Sequence, residues 1–143
     1  MKKFIPILLS VCLLLVSLGA CGADRIEIED YEWKMEWATL FDGTSFSRVA
    51  VSEEDPANPD AKIVDVTLKA DRGKLTVTDV TNGKTYEGTY TVINRTPAGT
   101  DYEIKIGVLS GHASVAMTTY ADGSQTPTLP INLGEWSLAF YSK

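Results

Sequence analysis

From Tyr31 to the C-terminus, apolar and polar residues alternate nearly one for one. Tyr31, Trp33, Met35 and Trp37 are spaced by Glu32, Lys34 and Glu36, the two-residue period of a strand with one buried and one wet face. The same period carries Val64, Val66 and Leu68; Leu75 and Val77; Tyr86, Gly88, Tyr90 and Val92; and Tyr102, Ile104, Ile106 and Val108. Val115 and Met117 open a further face, and Trp136, Leu138 and Phe140 form the last. Only Phe46 to Val51 is ambiguous between a short strand and a helical turn. The pattern predicts an all-β chain.

Punctuation between these runs suits antiparallel neighbours. Asn82-Gly83, between Thr81 and Lys84, has the composition of a two-residue type I′ hairpin turn, in which both central residues take positive φ. Asp71-Arg72-Gly73 and Ser110-Gly111 are weaker signals of the same kind. Asp122-Gly123 opens a longer connection through Pro127 and Pro130, and the acidic stretch Ser52 to Lys62, with Pro56 and Pro59, is the longest break. About seven or eight strands at turn spacings near ten residues suggest a β-sandwich or a barrel. Successive hairpins give up-and-down order, and closing the sheet removes its edges. A single antiparallel barrel over residues 31–143 is the expected architecture, with a β-sandwich as the alternative.

The central segment Gly83-Lys84-Thr85-Tyr86-Glu87-Gly88-Thr89-Tyr90-Thr91-Val92 resembles the polar turn, Gly-Thr-Tyr and alternating strand of small bacterial lipocalin-like domains. The Trp33 strand stands where those domains carry their N-terminal Trp strand. The resemblance implies a small barrel with an interior able to hold a ligand.

The N-terminus follows different rules. Lys2 and Lys3 precede an apolar run from Phe4 to Leu18, and the small residues Gly19 and Ala20 follow it. A charged start, an apolar middle and a small-residue exit make a secretory signal peptide. At about 1.5 Å per residue the run is too short for a hydrocarbon core of about 30 Å. Leu18-Gly19-Ala20-Cys21 resembles the lipobox of bacterial lipoproteins. That resemblance implies loss of residues 1–20, a diacylglycerol on the Cys21 thiol, and attachment to a cell membrane or outer membrane on its exported side. Residues 21–30 then form a short tether, and the Glu27, Glu29, Asp30 and Glu32 cluster reads as a solvated face.

Charge and cysteine content narrow the partners. The 143-residue chain has 13 basic and 19 acidic residues, a formal charge of −6, which argues against nucleic-acid binding. Losing Lys2 and Lys3 with the signal leaves 11 basic against 19 acidic residues, or −8, so attachment rests on acyl chains rather than a basic patch. Of the two cysteines, Cys12 leaves with the signal and Cys21 takes the lipid. No disulfide is expected, and stability must come from packing.

Candidate chemistry is sparse. His112 is the only histidine; expected in an exposed turn at Ser110-Gly111-His112, it lacks the second His of a zinc site and a recognisable nucleophile motif. Glu53, Glu54, Asp55, Asn58 and Asp60 put five oxygen-bearing side chains in one loop. Calcium favours that chemistry, but the spacing is not that of an EF-hand, so the loop is only a weak metal candidate and no cofactor is expected. The aromatics are more suggestive. Trp33, Trp37, Tyr90 and Trp136 fall on the inferred inner faces, either as a filled core or as the lining of a pocket at the barrel mouth. A small domain without disulfides can spare little core, which favours the filled interior. The expectation is a non-enzymatic, membrane-anchored domain that binds an envelope protein or a small apolar ligand. The alternatives are an envelope hydrolase using His112 or acidic residues, and a structural or inhibitory lipoprotein with a filled barrel.

Overall fold

The computed structural model describes residues 25–143; the segment Met1–Ala20 expected to be a signal peptide, and Cys21, lie outside the described residues. A short 3₁₀ helix, Ile28–Asp30, precedes β1 (Trp33–Phe41), β2 (Phe46–Val51), β3 (Lys62–Ile63), β4 (Val66–Asp71) and β5 (Lys74–Asp79). There follow β6 (Lys84–Thr96), β7 (Gly99–Ile106), β8 (Leu109–Thr119), β9 (Gln125–Leu133) and β10 (Trp136–Ser142). Strands β4 to β10 pair in sequence order, and β1 bridges β10 and β4, closing eight strands into an antiparallel barrel. The alternation therefore describes a barrel and not a sandwich. The ambiguous Phe46–Val51 is a strand.

Closure is uneven along the barrel axis. On the side away from β10, only Trp33 and Lys34 of β1 meet β4. Farther along, Trp37 to Phe41 meet β2 instead, and β3 runs parallel to β2 through Ala50↔Lys62 and Val51↔Ile63. Strand β2 is thus wedged between β1 and the β3–β4 segment, which widens one end of the barrel. In the same region a β-bulge interrupts the register between Met35 and Trp37. Because a bulge sets two residues against one, Ala38 rather than Trp37 follows Met35 on the inner face, and Ala38 is buried. The expectation that Trp37 points inward is corrected.

The turns redistribute the sequence signals. Asp71 pairs with Lys74, and both residues between them have positive φ, 47° at Arg72 and 83° at Gly73. The type I′ geometry expected at Asn82-Gly83 belongs here. Asp79 pairs with Lys84 instead, so Val80–Gly83 is a four-residue loop; the Asp79 carboxylate accepts from Asn82 N at 3.0 Å and Asn82 Nδ2 at 2.7 Å. The turn expected at Ser110-Gly111 falls at Gly107-Val108, because Ile106 pairs with Leu109. Val108 therefore sits at a turn tip, 99% exposed, rather than inside. Pro127 and Pro130 lie in β9, not in a connection. The β8–β9 ladder pairs Ala113 with Ile131 and Ala116 with Thr128 and breaks between them, which accommodates a Pro130 that has no N–H to donate. At Gly111 a Cβ would run into the Asn132 carbonyl of β9, so the close approach of these strands requires glycine.

The core sits toward one end. Trp33, Leu68, Leu75, Tyr102, Ile104, Val115 and Leu129 are almost wholly buried there, together with Ile28 from the 3₁₀ helix. The expected tether is thus folded from Ile26 onward: burial of Ile28 draws residues 26–30 into the barrel end.

Candidate functional site

One end of the barrel is sealed by its own N-terminal segment. Ile28 inserts its side chain, and the main-chain groups around it find partners on the barrel wall. The Trp33 Nε1–H donates to Ile28 O at 2.8 Å, and Ile28 N–H donates to the Tyr102 hydroxyl at 3.0 Å. Tyr102 in turn donates to Glu27 Oε2 at 2.5 Å, while Arg95 Nε donates to Glu27 Oε1 at 2.9 Å. The Tyr90 hydroxyl donates to Glu29, which also accepts from Arg72 N–H at 3.0 Å. The acidic residues read as a solvated face are therefore partly tied to the barrel, because buried main-chain and phenol donors need acceptors.

These contacts shift titrations in opposite senses. Burial pushes the Glu27 carboxyl up, but bonds from Tyr102 and Arg95 outweigh it and hold the group below the ordinary range. Burial, reinforced by the Glu29 carboxylate, pushes Tyr90 up to about 12. Burial and the Glu27 carboxylate raise Tyr102 in the same way.

The other end is hollow. A cavity of about 240 Å³ is lined by Met35, Ala38, Ala50, Val77, Trp136 and Leu138, among other apolar residues, with Asp79 as its one ionisable group. It lies where β2 widens the barrel, and Ala50 of β2 faces Ala38 of β1 across the ladder. Around this end stand exposed apolar side chains: Phe46 at the β1–β2 hairpin, Val80 in the β5–β6 loop, and Val108 and Leu109 at the β7–β8 turn. Tyr86 is half-exposed opposite the cavity residue Val77. The Phe41 and Phe46 rings pack at a 39° tilt with centroids 5.0 Å apart.

The four aromatics singled out from the sequence do not converge. Trp136 lines the cavity. Trp33 and Tyr90 belong to the sealed end, bonded to Ile28 and Glu29. Trp37 lies outside, with the Arg48 guanidinium 4.9 Å from its ring centroid. The aliphatic lining of the cavity, Ala38, Ala50 and Val77, was missed; its only sequence signal is that small inward residues leave space.

The acidic loop packs on the outer wall. Arg48 Nη1 pairs with Asp55 at 3.1 Å, and Asp55 also accepts from Asn58 Nδ2 at 2.7 Å and Ala57 N at 3.0 Å. Those bonds hold the Asp55 carboxyl below its ordinary value, with Asn58 the largest cause. Glu54 and Asp55 border an outer cleft of about 280 Å³ with Pro56 and Pro59, while Glu53 lies in a separate recess beside Glu36 and Tyr120; Asp60 is exposed. Among the described residues, no three of these side chains are grouped to hold a metal ion. His112 is on strand β8 rather than in a turn, exposed, opposite Glu103 and Asn132.

No protein-family model matches the chain, and searches among curated proteins and solved structures return no match.

Proposed function

We propose that the protein is an exported, lipid-anchored, non-enzymatic binding domain that takes a small apolar ligand through the open end of its barrel. One observation carries this reading: an apolar cavity of about 240 Å³ at the wide end, opposite an end closed by residues 26–30. Small-molecule sites are concave and mostly apolar, with few polar groups, and a barrel mouth is a common place for them. Exposed Phe46, Val80 and Val108 at the rim extend the apolar surface that a ligand meets on entry.

The lipobox-like Leu18-Gly19-Ala20-Cys21 supports anchoring through Cys21. From Cys21 to Arg25 the chain spans at most on the order of 15 Å at 3.3–3.6 Å per residue. Ile26 and Ile28 pack into the sealed end, which supports an anchor on the side away from the mouth. Cys21→Ala should abolish fatty-acid labelling and membrane retention; continued labelling would refute the anchor.

The binding reading is tested by titrating small lipids and aromatic compounds into the purified protein. Saturable change in Trp136 emission and a raised melting temperature are expected, since a ligand selective for the folded state stabilises it by mass action. A flat response across such a panel would overturn the reading in favour of a domain that works only through its outer surface.

A further inference from the structure

We propose that the cavity selects a small cationic amphiphile: one compact alkyl or aromatic body carrying an ammonium group that pairs with Asp79 at the rim. The inference rests on the binding reading above and adds the chemical class. Every other side chain lining the cavity is hydrocarbon, thioether or aromatic, so Asp79 supplies the only formal charge in that lining. It is the last residue of β5, where the wall gives way to the β5–β6 loop.

Asn82 fixes this carboxylate, donating once to each oxygen. Each carboxylate oxygen accepts more than one hydrogen bond, so capacity remains for a ligand. Lys84 stands opposite in the ladder, but among the described residues no cation lies within ion-pair distance of Asp79. A negative charge beside an apolar wall acts through a lower effective dielectric than one in open water. It attracts an ammonium group at the rim and repels a carboxylate there. The volume sets the other limit. At about 240 Å³ the cavity lies just below the usual range of roughly 300–1,000 Å³ for ligand sites, which suits one short chain or ring and not a two-chain lipid.

The test compares octylamine, octanol and octanoate, equal in chain and different in head, by calorimetry and tryptophan emission at neutral pH. Octylamine is expected to bind at least ~10-fold more tightly than octanoate, a difference of about 1.4 kcal/mol, with octanol between them. Asp79→Asn should bring amine and carboxylate together while leaving octanol unchanged. Asn82→Ala, which removes the turn bond but keeps the charge, should retain the amine preference and so separates the charge from the loop cap. Octanoate binding as tightly as octylamine, or an amine preference that survives Asp79→Asn, would overturn the charge selection and leave apolar binding standing. Failure of all three probes to bind would overturn both readings.

Discussion

The indole N–H of Trp33 donates to the main-chain oxygen of Ile28 at 2.8 Å, so one buried ring both fills the barrel and fastens its lid. The ring is fully buried, with Tyr31 packed edge-on at 5.5 Å between centroids. Its two roles are separable by substitution. Trp33→Ala should cost about 3–5 kcal/mol through the lost packing. Trp33→Phe keeps a ring but leaves a buried carbonyl without its donor, which costs about 1–3 kcal/mol. Chemical denaturation measures both. Hydrogen exchange at residues 26–30 should quicken more than in β7 or β8; uniform quickening would mean that the lid is not a separate unit.

Acid should act on the lid through Glu27. Its folded carboxyl is held below the ordinary value of 4.5, so its contribution is full above the unfolded pKa and disappears as pH falls through the folded one. Tyr102→Phe removes a hydroxyl that donates to Glu27 and accepts from Ile28, at a cost of about 1–3 kcal/mol. The variant should be less stable at neutral pH and lose less on acidification than the parent. The lowered carboxyls of Glu32, Asp42, Asp55 and Asp122 owe nothing to Tyr102 and cancel in that difference. Parallel stability curves from neutral pH into acid would contradict the assignment.

Alkali should act with the opposite sign. Tyr90 and Tyr102 are raised above the ordinary 10.0, Tyr90 to about 12. A raised folded pKa contributes fully below the unfolded value and is lost as pH climbs through the folded one. Between pH 10 and about 12, tyrosinate absorbance should therefore show a late phase accompanied by loss of near-ultraviolet dichroism. Tyr90→Phe and Tyr102→Phe should each remove part of that phase. Ionisation of both phenols near pH 10 with the fold intact would be the contrary result.

The barrel was legible because alternation is a property of each strand alone. Trp33, Leu68, Tyr102 and Phe140 are buried where the two-residue period puts them. What alternation misses is whatever breaks it. The bulge after Met35 carries Trp37 outside, and no residue in Trp33–Phe41 marks it, since a bulge is set by pairing with another strand. The type I′ turn formed at Arg72-Gly73 rather than Asn82-Gly83 because strand register, not turn composition alone, decides which residues are left between paired positions. The lid was missed because Ile28 is one apolar residue among Glu27, Glu29 and Asp30, and only the barrel supplies Tyr102 and Arg95 to Glu27 and Tyr90 to Glu29. The cavity depends on where β2 enters the sheet, a long-range pairing that the local pattern leaves undetermined.

Filling the cavity tests whether its space is kept for a ligand. Ala38 is buried on the inner face, opposite Leu138 on β10 and Ala50 on β2. Ala38→Leu adds three carbons to a space of about 240 Å³, and cavity filling of this kind commonly adds about 0.5–2 kcal/mol. The variant should melt higher than the parent and lose the Trp136 response to any ligand that the parent binds. Trp37→Phe, on the outer wall, should leave that response in place. A destabilised Ala38→Leu would mean that the wall closes on the added carbons, as overpacking costs about 1–3 kcal/mol. A stabilised variant that still binds would put the ligand elsewhere on the molecule.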